Sequence, residues 1–119
     1  MSNKSFEHWG IDPQARCLRV QVDACNSVLL PFEHFVFSTF KSATKEDVLH
    51  ARFATHEVVI TGRCLKRVEG VLQRKELAWI SVLPDRLTDA VPENIPIILR
   101  IELHEAEDTS PETKARGPR

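Results

Sequence analysis

Histidines and cysteines are the side chains of this sequence best suited to bind a metal ion or to act as nucleophiles. The five histidines are His8, His34, His50, His56 and His104. None of them forms an HxH, HxxxH or HExxH pattern, the spacings that turn two imidazoles toward one ion. The sequence therefore predicts no metal site and no cofactor, and it places the histidines at the surface or at strand edges.

The three cysteines are an odd set with no short spacing, since no two of them form a CxxC pair. This argues against a disulfide scaffold and against a common zinc site, and it favours free thiols in a reducing compartment. Cys64 lies beside Arg63 at the start of the predicted helix, a position that can activate a thiol. Its helical spacing turns it toward the sheet, so we expect it to be inert. Cys25 falls in a predicted turn and has no base nearby in the sequence.

Catalytic motifs are missing from the chain. It has no GxxxxGK[ST], GxGxxG or GxSxG pattern, and it contains four glycines and no tyrosine. Nucleotide hydrolysis and serine-hydrolase chemistry therefore have no support. The sequence predicts a protein without catalytic chemistry of its own.

A stripe of basic side chains is the feature that most resembles a binding site. In a helix over residues 62–75, Arg63, Lys66, Arg67 and Arg74 fall on one side, with Gly70 in their midst. Glycine costs about 1 kcal/mol in a helix interior, and on an exposed face it allows a phosphate or a backbone to approach closely. The alternative is a solvated helix face with a tolerated glycine. Both interpretations stay open at this stage.

Length and composition indicate one ordinary globular domain. The chain has 119 residues, 42% hydrophobic and 28% charged, with a formal net charge of −1. A nearly neutral chain is not a general polyanion binder, so nucleic-acid binding would need a local patch. No apolar run is long enough for a signal peptide or a membrane helix, and this predicts a cytoplasmic protein that does not enter a membrane.

Periodicity predicts an α+β fold. Strands are expected at 16–22, 35–40, 48–54, 56–61, 77–83 and 95–103, and an amphipathic helix at 62–75 with Thr61 as its N-cap. They would form one strongly curved, mainly antiparallel sheet of about five or six strands with the helix packed on it. The 35–40 strand is apolar on both faces at first, which predicts burial on two sides. Residues 1–104 would form a single domain with an irregular lead-in at 1–14, followed by a disordered charged tail at 105–119.

The hairpin at 48–61 is specific enough to predict its register. A two-residue turn at Ala54 and Thr55 satisfies both faces at once, which an incorrect register seldom does. Ile60 then points into the core, as does Leu65 in the helix that follows. The predicted pairs across the hairpin are Phe53 with His56, Ala51 with Val58, Leu49 with Ile60, and the oppositely charged Arg52 with Glu57.

Together these features favour a small interaction or regulatory domain that self-associates into a homo-oligomer. The segments at Pro31 and Pro96 are expected to form sheet edges, where pairing with another copy is possible. One alternative is an accessory protein that binds nucleic acid through the basic stripe. Another is a small-ligand pocket between the phenylalanine-rich strand and the helix, lined by Phe35, Phe37, Trp79 and His34.

Overall fold

The computed structural model describes residues 8–23, 25–88, 91–92 and 94–106. Within these ranges lie eight strands, one helix of about two turns (α1), a one-turn helix (α2) and a 3-10 turn at Phe32–His34. The elements are β1 (Trp9–Ile11), β2 (Cys17–Asp23), β3 (Asn26–Pro31), β4 (Phe35–Ser42), β5 (Asp47–Phe53), β6 (His56–Arg63), α1 (Lys66–Gln73), β7 (Leu77–Ile80), α2 (Asp85–Thr88) and β8 (Ile97–Glu105). No helix among the described residues is long and apolar enough to cross a membrane.

The strands form two open sheets rather than the single curved sheet of five or six strands predicted above. Their strand orders are β1-β7-β2-β3 and β4-β5-β6-β8, and all neighbours are antiparallel except β2 and β7. One added strand, β1, lies within the predicted lead-in. The other, β3, arises because the 3-10 turn divides the phenylalanine-rich segment in two. The predicted α+β class is correct, and the predicted strand count was too low.

The predicted register of the β5–β6 hairpin is confirmed. Ala51 lies opposite Val58 and Leu49 opposite Ile60, and all four side chains are fully buried. Arg52 also lies opposite Glu57 as expected. The Glu57 carboxylate instead contacts Nδ1 of His50, two residues along the same face, at 2.9 Å. The hairpin therefore follows the predicted alternation. On its polar face, however, Glu57 contacts the diagonal residue His50 rather than the directly opposite Arg52.

The predicted start of the helix at residue 62 was wrong. Strand β6 continues through Thr61 and Gly62 to Arg63, so Thr61 is a buried strand residue and not an N-cap. The chain then turns at Cys64, whose φ of 58° is left-handed, and α1 begins at Lys66. The Leu65 N–H donates to Oδ2 of Asp47 at 3.1 Å. A carboxylate from the start of β5 thus accepts from the N-cap N–H, as the N3 side chain does in a capping box.

The end of α1 is a Schellman motif. The Lys75 N–H donates to the Leu72 carbonyl at 2.8 Å, and the Glu76 N–H donates to the Val71 carbonyl at 3.0 Å. This motif needs a left-handed residue at its centre, usually glycine, and here Lys75 has a φ of 60°. The helix therefore ends with a strained lysine.

Replacing Lys75 by glycine is expected to stabilise the fold by about 0.5–1 kcal/mol. Glycine relieves a left-handed strain of about 1–2 kcal/mol, and part of that gain is lost to the greater freedom of the unfolded chain. Lys75→Ala removes the same side chain but keeps the strain, so it serves as the control and should change little. Urea unfolding of both variants measures the difference, and equal stabilities would contradict the assigned strain.

The two sheets are joined at Ile98. Its carbonyl accepts from the Leu83 N–H at 3.0 Å, and its N–H donates to Nε2 of His8 at 3.0 Å. His8 is only 3% exposed, and its own carbonyl accepts from the Ser81 N–H at 2.7 Å. A backbone N–H can only donate, so Nε2 must be unprotonated in the folded state. This joint therefore requires a neutral histidine.

Removing the acceptor at residue 8 is expected to weaken the joint. His8→Ala leaves the buried Ile98 N–H without this acceptor and should destabilise the fold by about 1–3 kcal/mol. His8→Gln keeps an acceptor in the side chain and serves as the control. Urea unfolding of both variants measures the difference, and equal stabilities would mean that the bond to Ile98 does not hold the two sheets together.

A β-bulge turns the start of β4 outward. Phe35 pairs with Phe53 and Phe37 pairs with Arg52, so Val36 is an extra residue in β4. The Phe35 ring packs against the Phe53 ring, with centroids 5.3 Å apart. Val36 and Phe37 are instead 60% and 53% exposed. The predicted burial of this strand on two sides was therefore wrong.

Candidate functional site

The basic residues predicted as one helix stripe are divided between strand β6 and the two ends of helix α1. Arg63 is the last residue of β6, Lys66 and Arg67 form the first turn of α1, and Arg74 is its C-cap residue. All four side chains are exposed. The late start of the helix removes Arg63 from the helical face. What remains is a basic segment that follows the turn from β6 into α1, with Arg74 at the far end of the helix.

These cations differ in their surroundings. Nε of Arg74 contacts Oε1 of Glu76 at 3.2 Å, and Nζ of Lys66 lies 5.6 Å from the centroid of the Phe40 ring. Among the described residues, Arg63 and Arg67 have no carboxylate within salt-bridge distance. Lys66 and Arg67 also occupy the positive end of the helix dipole, where a cation is slightly unfavourable. The first turn of α1 therefore presents positive charge that the described part of the fold does not neutralise.

Gly70 is not required by the packing of the helix. A Cβ atom built there would have Nη1 of Arg74 as its nearest neighbour, at 3.9 Å. The backbone is ordinary helix, so alanine would fit without strain. The space around Gly70 is therefore compatible with both interpretations of the stripe.

Two hollows on the described surface are wide and open. One of about 450 Å³ lies between β2 and the end of α1, and its walls are formed by Arg16, Cys17, Pro31, Phe32, Glu33 and Lys75. Another of about 310 Å³ lies beside the β6–α1 turn, and its walls are formed by Ala43, Thr44, Lys45, Asp47, Arg63 and Cys64. Neither set pairs a thiol with a histidine base. These hollows offer charge and shape, without the nucleophile-and-base geometry of a covalent catalyst.

The histidines contact different neighbouring residues rather than one another. Besides the His50 contact to Glu57, Nε2 of His104 lies 3.2 Å from Oε1 of Glu102. His50 and His56 lie on opposite faces of the hairpin, because their positions differ in the alternation of β5 and β6. Over residues 8–106, apart from the undescribed positions, no three potential metal ligands come together.

The three cysteines form no disulfide and lie in different local settings. Cys17 and Cys64 are half-buried and Cys25 is exposed. Cys64 lies in the turn before α1, so its predicted place on the inner face of the helix was wrong. Leu65, the next residue, is fully buried as predicted. In the β2–β3 turn, the Cys25 N–H donates to the Asp23 carboxylate at 2.8 Å and lowers the pKa of that exposed carboxyl.

The residues suggested for a small-ligand pocket are not brought together. Phe35 faces the core, whereas Phe37 lies on the outer face of β4. Trp79 lies in the other sheet, with its indole ring directly over Gly10 in β1. His34 is exposed in the 3-10 turn before β4. The described structure therefore has no common cavity for this set.

Exposed apolar side chains on edge strands are a feature that the sequence did not predict. Four of the five large exposed apolar residues in the described chain lie on strands at sheet edges. They are Ile11 on β1, Leu29 on β3, and Val36 and Phe37 on β4. The sequence did indicate an edge at Pro31, and β3 is indeed one, but periodicity alone could not reveal the bulge that exposes Phe37.

Neither models of protein families, nor curated proteins, nor solved structures match this chain.

Proposed function

We propose that this protein is a small interaction domain that acts by self-association and has no catalytic chemistry of its own. The observation that carries the proposal is the concentration of exposed apolar side chains on edge strands, with Val36 and Phe37 together on β4. An edge strand offers unpaired backbone donors and acceptors, and apolar side chains beside them favour pairing over solvation. A second copy of the same chain carries the same two features, so its edge strand can pair with that of the first copy.

Sedimentation equilibrium of the full chain tests this proposal. From about 2 µM to about 500 µM, the average mass is expected to rise from one copy toward two. Because the contact is apolar and uses backbone hydrogen bonds, assembly should persist when salt is raised from about 0.15 M to about 0.5 M. A mass of one copy throughout this range would overturn the proposal.

Binding of a polyanion by the basic residues is the second candidate function. The exposed, unneutralised Arg63 and Arg67 favour it, together with Lys66 in the same turn. An affinity for single-stranded nucleic acid that falls steeply with salt would be the expected sign. Changing Arg63 and Arg67 to glutamate should abolish binding. Arg19→Glu, on the outer face of β2, is the matched control and should bind like the parent, and equal binding by all three proteins would exclude the basic residues as the site.

A further inference from the structure

The four sheet edges of the described structure differ in how well they are protected against pairing. Strand β1 has only three residues, and β3 ends at Pro31. Strand β8 carries several charged or ionisable side chains in its second half, and its start is covered by the bonds from His8 and Leu83 to Ile98. Strand β4 has eight residues, no proline and a single charge, Lys41. Charges, prolines, β-bulges and short length are the usual protections. Strand β4 has one charge and the bulge at Val36, and it differs from the other edges in having two adjacent exposed apolar side chains, Val36 and Phe37.

The hydrogen bonding of the β4–β5 hairpin shows which backbone groups of β4 point away from the sheet. The Ala43 N–H donates to the Glu46 carbonyl at 3.1 Å, so this is a hydrogen-bonded pair. Such pairs alternate along an antiparallel ladder. Phe37, Thr39 and Lys41 therefore bond to β5, while the N–H and C=O of Ser38 point outward. The outer side of β4 has the donors and acceptors for another strand.

Helix α1 restricts the open part of this edge to the first half of β4. The helix packs near the second half, where Nζ of Lys66 lies over the Phe40 ring. Val36 and Phe37 lie in the first half and are the most exposed apolar side chains of the strand. An added strand would therefore be centred close to Phe37.

We propose that a second copy of this chain pairs its β4 antiparallel to β4 of the first, around a two-fold axis at Phe37. Because Phe37 bonds to β5, it would form a non-hydrogen-bonded pair in the new ladder, the arrangement that brings side chains closest. Phe37 would then face Phe37 of the second copy on the outer face, and Ser38 would lie beside the bulge residue Val36 of that copy. This assignment rests on the proposed function and specifies its geometry.

The sequence of the strand is compatible with pairing to itself. The run Phe35–Phe40 carries no charge, so a two-fold axis at Phe37 places no like charges opposite each other. A two-fold contact uses the same patch on both copies and closes after two. The two β4-β5-β6-β8 sheets would become one continuous sheet of eight strands. The apolar side chains of the bulge, exposed in one copy, would be covered in the pair.

Lysine at position 37 tests the contact. Phe37→Lys places two like charges opposite each other and should raise the dissociation constant of the pair by about 100-fold or more in sedimentation equilibrium. Ile11→Lys is the matched control, because Ile11 on β1 is similarly exposed, at 48%. It should leave the dissociation constant unchanged. Both substitutions are at the surface, so thermal unfolding should show two folded variants.

Disulfide trapping distinguishes this edge from any other surface. In a Cys25→Ser background, Phe37→Cys should form a covalent dimer under mild oxidation, because directly opposed residues lie within disulfide reach. Ile11→Cys in the same background should stay monomeric. A parent that dimerises while Phe37→Cys does not cross-link would overturn the β4 contact and leave the proposed function standing. A parent that never dimerises would overturn both.

Discussion

Replacing Gly62 by alanine is expected to destabilise the fold by about 3 kcal/mol. The Cβ atom of alanine would overlap the Ile97 carbonyl group of the paired strand β8, beside the bulge between Thr61 and Gly62. Backbone atoms of a paired strand cannot move aside as a flexible side chain can. Glycine in a strand often marks such an approach of two backbones.

Gly70 provides a control in which the chemical change is identical. Neither glycine has a left-handed backbone, and the two differ only in the space around them. Gly70→Ala should stabilise the fold by about 1 kcal/mol, since alanine is the better helix former and its methyl group meets open space. Urea unfolding of both variants should give changes of opposite sign. Two changes of the same sign would contradict the assigned place of Gly62 in β6.

Aspartate at position 60 is expected to unfold the domain, with a loss of about 4 kcal/mol or more. Ile60 is fully buried between the paired strands, and an unpaired charge there has no water and no partner. Leu65→Asp, also fully buried, should have a comparable effect.

The next residue in the chain tests the assignment of the two faces of β6. Val59 is half-buried on the opposite face and lies opposite Glu102. Val59→Asp should therefore cost only about 1 kcal/mol, mostly through repulsion by Glu102. Circular dichroism and thermal unfolding separate the outcomes. A folded Ile60→Asp variant with the parent's melting temperature would show that the faces are exchanged.

The sequence predicts local alternation well and contacts between distant backbones poorly. The register of β5 and β6 was predictable because both faces of a short hairpin had to be satisfied by neighbouring residues. The start of α1 was not, because the extension of β6 through Gly62 depends on β8, which begins 35 positions later at Ile97. Cys64 and Leu65 fit helical spacing, but only Leu65 reaches the core.

The candidate surfaces show the same contrast between local features, which the sequence predicts, and distant backbone contacts, which it does not. The sequence identified the exposed basic residues correctly. Arg63, however, does not lie on the helical face, because the helix begins only at Lys66. Phe37 was expected in the interior because the strand is apolar on both faces at first, which predicted burial on two sides. The bulge at Val36 instead leaves Phe37 on the outer face, and no feature of its sequence marks the bulge. The edge character of β4 therefore became visible only in the structure.

The bonds at Ile98 have a consequence for the order in which the chain folds. The contact from His8 spans 90 positions, and β1 pairs with β7, which begins 66 positions after β1 ends. The β2–β3 hairpin and the three-stranded β4–β5–β6 meander can form from neighbouring residues during synthesis, whereas β1 must wait for most of the chain to emerge. Distant pairings of this kind slow folding to about milliseconds or seconds. The first strand in the sequence is thus among the last to be fixed, and until it docks, β7 has one open side in a chain that already exposes β4.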